Sequence, residues 1–318
     1  MIRKILAFSL AAVTCLSLMA CSNSGTKTGS KKITIGVTMT NLSEAYFKPV
    51  ANYCQSEAKK LGVTAEIEDA QGNSQEQANQ INTFIAQKVS AVILCPVDQS
   101  SNLPSLKMLK AANIPCVVVN AKLDDVSSTY EASFVGSSSE AEGQMAADMT
   151  DQALGANGGN VVIIEGVLGT EPQYYRTQSY EQEISTKYKN IKILSVADGN
   201  WDRATAMSAA EDMLTKYSNI SAIFAEDDNM CIGAINAAKA AGRASSIKFI
   251  GIGGSIDGLA AIKAGEMYGS VSQPPDFEGA TSMDVAVNVV KGNRVEAWYM
   301  DPVKAITASN VSQFKGLW

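Results

Sequence analysis

Short apolar segments alternate with helical segments along nearly the whole chain, and this alternation limits the fold more than any other feature. The first unit has β-branched and small residues over 33–39, then a loop, then an amphipathic run to Leu61 with Gly62 as a C-terminal cap. Residues 91–95 are all apolar, which is typical of a strand covered on both faces of a parallel sheet. The alternation therefore predicts an α/β fold with parallel sheets.

The alternation occurs twice, so we expect two doubly wound parallel-sheet lobes of similar architecture, and 318 residues suffice for two cores. The residues 74–77 fit a capping box that opens a helix.

In open parallel sheets, ligands bind beyond the carboxyl ends of the strands, and two facing lobes form a cleft. Five strands are predicted in the second series, over residues 160–164, 191–196, 222–225, 247–252 and 268–272.

The N-terminal 20 residues have the pattern of a targeting segment, with Arg3 and Lys4 before an apolar region over 5–18. The segment ends Leu-Met-Ala-Cys21, which resembles the bacterial lipoprotein signal, in which the Cys is lipidated after cleavage. Residues 21–31 are rich in Gly, Ser and Thr, as in a flexible tether. The sequence predicts a protein of the cell envelope, anchored by Cys21 to the outer face of the cell membrane or in the periplasm. An ordinary secretory signal with a chance Cys is the alternative.

The chain lacks residues that several classes of function require. The chain has no His, no phosphate-binding GxxxxGK[ST] loop and no GxSxG elbow, and its net charge of −6 with no basic run argues against nucleic-acid binding. We therefore predict that the protein is not an enzyme and needs no metal or cofactor. The carboxylates of residues 226–228 leave an exported α/β enzyme as the alternative, since neighbouring carboxylates can do acid–base work or bind a cation.

Four cysteines remain after Cys15 leaves with the signal and Cys21 is lipidated. They lie in apolar contexts without CxxC spacing, so we interpret them as small buried hydrophobes. An exported protein can form disulfides, which leaves a Cys95–Cys116 bridge open. The predicted strands place these two cysteines at opposite edges of a parallel sheet, which disfavours the bridge. The four are Cys54, Cys95, Cys116 and Cys231.

The chain from Lys32 to Ala308 resembles the type I periplasmic sugar-binding proteins, the ribose-binding-like group. Four segments carry the resemblance in order, and together they are more specific than any one motif. They are Ile-Gly-Val-Thr38 with Tyr46-Phe47, Gln-Lys-Val-Ser-Ala-Val-Ile-Leu-Cys-Pro96, Ala-Asn-Ile-Pro-Cys-Val-Val-Val119, and Ile-Phe-Ala-Glu-Asp-Asp-Asn-Met-Cys-Ile-Gly-Ala234.

The resemblance implies two lobes joined by a three-crossing hinge, with crossings near 137–139, 272–274 and 301–303. The N-lobe would then comprise residues 32–137 with 274–301, and the C-lobe residues 138–273 with 302–318. The resemblance also implies the function: a monomer captures a sugar in the cleft, closes around it, and delivers it to the permease of an ABC importer. A protein that presents its ligand to a membrane receptor for sensing, without uptake, is the alternative.

The resemblance also implies the ligand-binding residues. Tyr46 and Phe47 match aromatics that stack on a sugar ring, and Trp201 matches the aromatic on the other face. Asp227 stands where the family has an Asn, Gln273 matches a hinge-side Gln, and Arg176 lies in an Arg-containing segment and would donate to hydroxyls. The residue types alone leave other roles open for some of them: core packing for Tyr46 and Phe47, a helix-start contact for Trp201 and a helix cap for Asp227.

This chain departs from the family pattern at several binding positions. Asn120 with Ala121 replaces an Asp-Arg pair, Tyr174 replaces an Arg, and Glu44 stands where an Asn or Asp is found. Asn120 could instead serve a turn, and Tyr174 could be a surface residue. Charged hydrogen bonds to hydroxyls stabilise by about 1.5–3 kcal/mol each, so their loss argues against ribose bound in the usual way. We expect another sugar, a polyol or a furanone-type signal.

Overall fold

The computed structural model describes residues 32–318. The strands are β1 Thr34–Met39, β2 Thr64–Asp69, β3 Ala91–Leu94, β4 Cys116–Val119, β5 Ser133–Gly136, β6 Gly159–Glu165, β7 Ile191–Asp198, β8 Ile220–Ala225, β9 Lys248–Gly253, β10 Gly269–Ser272, β11 Trp298–Met300 and β12 Ala305–Thr307. The helices are α1 Phe47–Leu61, α2 Ser74–Gln87, α3 Leu103–Ala111, α4 Ser139–Leu154, α5 Glu171–Lys187, α6 Arg203–Lys216, α7 Asp228–Ala240, α8 Ile256–Lys263 and α9 Pro275–Val290.

The first sheet has the strand order β11-β5-β4-β3-β1-β2, and all its strand pairs are parallel. Its strands are apolar because both faces are covered: α1 and α9 bury Val50 and Ala286 against one face, and α2 and α3 bury Phe84 and Leu106 against the other. Gly36 in β1 has no room for a Cβ, which would lie 2.6 Å from the Phe84 ring. The sheet is thus doubly wound.

The second sheet has the order β12-β10-β9-β8-β6-β7. Helices α6, α7 and α8 cover one face, where Met213 and Cys231 are buried, and α4 and α5 cover the other, where Tyr180 stacks on Phe224 with ring centroids 4.4 Å apart. The strands are parallel except β12, which pairs antiparallel with β10. The second sheet therefore repeats the architecture of the first, with one antiparallel edge.

The chain passes three times between the sheets. Residues 137–138 lead from β5 to α4, residues 273–274 lead from β10 to α9, and residues 301–304 lead from β11 to β12. The predicted fold class, two doubly wound lobes with a three-crossing hinge, is confirmed. The residue boundaries given above for the N-lobe and the C-lobe stay a prediction.

Two details of the local structure differ from the sequence prediction. The capping box over 74–77 is wrong: Asn73 caps α2 through hydrogen bonds from the amides of Gln75 and Glu76, at 2.9 and 3.1 Å. The Ser74 hydroxyl instead donates to Asp98 at 2.7 Å. Strands β5, β11 and β12 were not predicted, because segments of three or four residues without an all-apolar run carry too little periodicity to be told from loops.

The cysteines and the helices agree with the sequence analysis. The four cysteines of the described chain are buried and free, so the Cys95–Cys116 bridge does not form in this structure. No helix within residues 32–318 is long and apolar enough to cross a membrane. The targeting segment, the tether and Cys21 lie outside the described residues.

Candidate functional site

A cavity of about 160 Å³ lies where the carboxyl ends of the strands of one sheet face those of the other. Its walls come from the loops that follow β1, β2, β3 and β4 of the first sheet and β6, β7, β8 and β10 of the second, together with the start of α5 and Trp318. A cavity of roughly 150 Å³ holds a six-membered ring such as benzene. The cavity is therefore large enough for one small cyclic ligand.

Eight of the nine predicted binding residues line this cavity, and their role in binding stays a prediction. The structure does not bring Tyr174 to it: this side chain is 49% exposed on α5 and packs edge-on against Tyr175. The reason is helical geometry. Residues two positions apart on a helix point to different sides, so when Arg176 faces the cavity, Tyr174 faces solvent. The eight that line the cavity are Glu44, Tyr46, Phe47, Asn120, Arg176, Trp201, Asp227 and Gln273.

The loop that carries Glu44, Tyr46 and Phe47 is held by carboxylate and amide side chains. Asp69, at the end of β2, accepts a hydrogen bond from the Leu42 amide at 3.0 Å. Asn41 accepts from the Ser43 amide at 3.1 Å and donates to Glu44 at 3.2 Å. This turn fixes where α1 begins, so both aromatic rings at its start face the cavity and are nine-tenths buried.

Trp201 is placed by an unusual backbone. Asn200 and Trp201 both have positive φ, 55° and 56°, a conformation that costs an aromatic residue about 1–2 kcal/mol. The indole packs over Gly166, where a Cβ would lie 1.9 Å from a ring carbon. Asp202 then caps α6. Trp201 therefore lies next to a helix start, which is the alternative role that the sequence left open for it. Its ring nevertheless lines the cavity, and backbone strain of this kind points to a function for the side chain.

The Arg176 side chain is buried, and most of its contacts are with other residues of the protein. It is 3% exposed, and its Nε donates to Glu142 at 2.8 Å and its Nη1 to the carbonyl of Glu226 at 3.0 Å. The guanidinium carbon lies 5.7 Å from the centroid of the Trp201 ring, within the range of a cation–π contact. Arg176 therefore ties α4 and α5 to the end of β8 and supports the Trp201 ring.

Two carboxylic acids reach the cavity from opposite sheets. Burial raises the pKa of Glu44 to about 7, opposed by the Asn41 amide and increased by Asp69. Burial likewise raises the pKa of Asp227 to about 7, and the neighbouring Asp228 adds to the rise. Asp227 also caps α7 by accepting the Met230 amide at 2.6 Å, so its cap role and its place at the cavity are both observed.

A third acid lies just behind the cavity wall. Asn120 has a left-handed backbone, with φ 71°, and its Nδ2 donates to both oxygens of Glu278 at 3.1 and 3.3 Å. Asn120 thus has the turn conformation that the sequence left open and also lines the cavity. Burial raises the pKa of Glu278 to about 8, the Asn120 amide opposes this rise, and Glu142 and Asp301 increase it.

Glu278→Gln should stabilise the protein at pH 8.5 but not at pH 5. The folded chain holds the Glu278 pKa above its ordinary value of 4.5. Below pH 4.5 this carboxyl is protonated in the folded and the unfolded chain, so it costs no stability. As the pH rises from 4.5 toward 8, only the unfolded chain loses the proton, and the free energy of unfolding falls. Gln keeps an acceptor for Asn120 and has no proton to lose. Because one pKa unit corresponds to about 1.4 kcal/mol, we expect a gain above 1 kcal/mol at pH 8.5, measured by urea unfolding.

The exposed Glu266→Gln is the matched control for this experiment and should show equal stability differences at both pH values. A Glu278→Gln variant whose advantage is the same at pH 5 and pH 8.5 would show that this carboxyl does not titrate in the predicted way.

The sequence analysis missed Trp318, which lines the cavity beside Tyr46 with ring centroids 5.4 Å apart and planes at 86°. Its carbonyl accepts the Ile256 amide at 2.8 Å, and its ring covers Gly253, where a Cβ would lie 2.3 Å from an indole carbon. No periodicity surrounds this residue, so no pattern could place it. Asn41, Val167 and Thr170 were also missed, although their loops follow predicted strands at the ligand-binding edge.

The cavity combines aromatic rings with hydrogen-bonding groups. Tyr46, Phe47, Trp201 and Trp318 supply apolar faces, and amides and carboxylates supply polar contacts between them. No group of three or more potential metal ligands occurs among residues 32–318. Such a mixture suits a small ring with polar edges, since binding sites are mostly apolar with a few placed polar groups.

A family model described as periplasmic binding protein domain matches residues 35–294. The chain belongs to this family. Members of the family are solute-binding proteins and not enzymes, so the prediction of a type I periplasmic sugar-binding protein without enzyme activity is confirmed.

Relatives of this periplasmic binding protein cover nearly its whole length. A putative rhizopine-binding protein of Rhizobium meliloti is 33% identical over 89% of this chain and 93% of its own. A xylitol-binding protein of Mycolicibacterium smegmatis is 32% identical over 97% of this chain and 86% of its own. Among solved structures, an ABC transporter solute-binding protein of Bacillus halodurans with bound myo-inositol is 32% identical, has a TM-score of 0.85 and covers 90% of this chain and 98% of that one.

Proposed function

We propose that this protein captures a cyclic polyol or sugar in the cavity between its two sheets and delivers it to an ABC importer. The observation that carries the proposal is the cavity itself. Aromatic residues from both sheets, Phe47 and Trp201 among them, face one space of ring size. A sugar or cyclitol ring has apolar C–H faces and hydroxyl edges, which match aromatic faces with polar groups between them.

The departures from the family pattern favour a polyol over ribose. Asn120 and Ala121 line the cavity where an Asp-Arg pair would grip hydroxyls, and Tyr174 lies outside it. The only cation on the wall of the described cavity, Arg176, is already paired with Glu142. Relatives that bind xylitol or myo-inositol support the same direction.

A thermal-shift screen of the mature protein tests this function. The panel contains myo-inositol, xylitol, ribose, allose and other sugars and polyols. A ligand at about 100 times its dissociation constant should add about 2.7 kcal/mol of stability, a shift of several degrees. One polyol or sugar that shifts the melting temperature, confirmed by calorimetric titration and recovered unchanged, supports the proposal. A flat screen across the whole panel would contradict it.

We also propose that Cys21 is lipidated and holds the protein on the membrane, next to its importer. The Leu-Met-Ala-Cys21 sequence and the polar stretch after it support this assignment. Each buried acyl CH₂ contributes about 0.8 kcal/mol, so several chains on one Cys would make a stable anchor.

Cys21→Ala should release the protein from the membrane fraction. Cell fractionation and immunoblotting measure the distribution, and Cys15→Ala is the matched control, because that residue lies in the segment that is removed. Retention of the Cys21→Ala protein in membranes would contradict the lipid anchor.

A further inference from the structure

The charges around the cavity are out of balance. Glu44 and Asp227 line it from opposite sheets, and the charge of Glu44 adds to the rise in the pKa of Asp227. Among the described residues, Arg176 is the one Lys or Arg on the wall, and Glu142 already neutralises it at 2.8 Å. The cavity therefore presents two acids to a ligand and no unpaired positive charge.

Each of these acids has binding capacity left. Asn41 engages one oxygen of Glu44, and the Met230 amide engages one oxygen of Asp227. A carboxylate accepts about four hydrogen bonds, so both side chains have acceptor sites that the protein does not fill. Donors from the ligand would fill them.

The aromatic walls add an independent argument. Phe47, Tyr46, Trp201 and Trp318 surround the same space. Tyr46 is 8% exposed, and its hydroxyl has no hydrogen-bond partner among the described residues. Aromatic faces attract cations electrostatically within about 6 Å, and several aromatics around one pocket are a known means of binding ammonium groups. The cavity thus has two features, acids and aromatic faces, that favour a positive charge.

We propose that the ligand carries an ammonium group, as an amino sugar or an aminocyclitol does, and that Glu44 and Asp227 bind this group. The inference rests on the proposed function, because it assumes that the cavity binds a sugar-like ring. An ammonium donates up to three hydrogen bonds and accepts none, which matches two carboxylates that only accept when ionised. A hydroxyl could donate one hydrogen bond but has no positive charge to offset the two carboxylates.

The titration of the two acids is consistent with this. Burial raises the pKa of Glu44 and of Asp227 to about 7, so near neutral pH part of each population is protonated. Asp69 faces Glu44, and Asp228 and Arg176 face Asp227. A bound ammonium would favour the ionised form of both acids.

Calorimetric titration of matched ligands at pH 7 tests the inference. One series compares myo-inositol with an inosamine, in which an amine replaces one hydroxyl. A second series compares glucose, glucosamine and N-acetylglucosamine, where acetylation removes the charge. We expect at least one amine to bind tenfold or more tightly than its hydroxyl counterpart, and the acetylated form to lose this advantage.

Three variants locate the preference. Glu44→Gln and Asp227→Asn should each reduce the amine-to-hydroxyl affinity ratio at least fivefold, and Asn still caps α7. Asp202→Asn is the matched control, because Asp202 also caps a helix, α6, but does not line the cavity. It should leave the ratio unchanged.

The outcomes separate the two proposals. If sugars or polyols bind and no amine binds more tightly than its hydroxyl counterpart, the ammonium inference is overturned and the proposed function stands. If an amine is preferred but neither Glu44→Gln nor Asp227→Asn changes the ratio, the assigned residues are wrong and the inference is overturned as well. If cooperatively folded protein binds no member of either series or of the broader panel, the proposed function fails and the inference fails with it.

Discussion

Trp201→Ala is expected to weaken binding of the ligand at least 30-fold while the protein stays folded. The indole forms one wall of the cavity and is held there by a strained backbone and by Arg176. Loss of a central aromatic side chain from a binding site costs about 2–4 kcal/mol, and about 2 kcal/mol corresponds to a 30-fold change. Calorimetric titration with the ligand found by the screen measures the effect, and circular dichroism checks the fold.

Tyr174→Ala is the control for this experiment, because Tyr174 is an aromatic residue of α5 that lies outside the cavity. Its affinity should stay within twofold of the wild type. If Trp201→Ala also stays within threefold, the assignment of the cavity as the binding site is wrong.

Gly166→Ala provides an independent test of the position of the Trp201 ring. The new Cβ would lie 1.9 Å from an indole carbon, so the ring must move although every side chain at the cavity is kept. We expect at least a tenfold loss of affinity. An unchanged affinity would show that the exact placement of the ring does not matter.

Glu142→Ala should lower the free energy of unfolding by about 3–5 kcal/mol, which corresponds to a fall of about 10 °C in melting temperature. Glu142 is 1% exposed and neutralises Arg176, which is 3% exposed. Removal of the carboxylate takes from the buried guanidinium its ion-pair partner, and also removes the acceptor of the Ser137 hydroxyl at 2.6 Å. Chemical and thermal unfolding measure the change.

Glu266→Ala is the matched control, since Glu266 pairs with Lys239 at a similar distance, 2.7 Å, but both side chains are more than two-fifths exposed. Exposed pairs contribute about 0–1 kcal/mol, so the control should change little. If the two substitutions destabilise the protein equally, burial does not set the strength of the Arg176–Glu142 pair.

The parts of the fold that were predictable have strong local signals. The apolar run of β3 and the helix that ends at Leu61 with Gly62 in a left-handed conformation follow directly from residue type and spacing. The short edge strands do not follow from residue type and spacing. Strand β11, for example, has three residues and forms only by pairing with β5. The cap of α2 was placed one residue late, since Asn73 and Ser74 are both good caps and only the fold selects between them.

The predictable part of the candidate site consists of the residues in loops that follow predicted strands. Residues one or two positions beyond a strand, such as Asn120 and Asp227, reach the cavity because the carboxyl ends of parallel strands meet at one edge. Tyr174 depends on the rotation of α5, and Trp318 depends on a contact between the end of the chain and Tyr46. Contacts of this kind are decided by tertiary packing, which the sequence pattern does not record.

The order of the strands has a consequence for how this protein is made. The first sheet takes its edge strand β11 and its covering helix α9 from residues 275–300, after the whole of β6 to β10. Helix α9 packs so closely on α1 that a Cβ on Gly279 would lie 2.4 Å from the Val50 carbonyl. During synthesis, the apolar face of α1 therefore stays uncovered until residues 275–290 have emerged. A chaperone that holds the early chain would protect it during this interval, and chains cut short before residue 275 should aggregate.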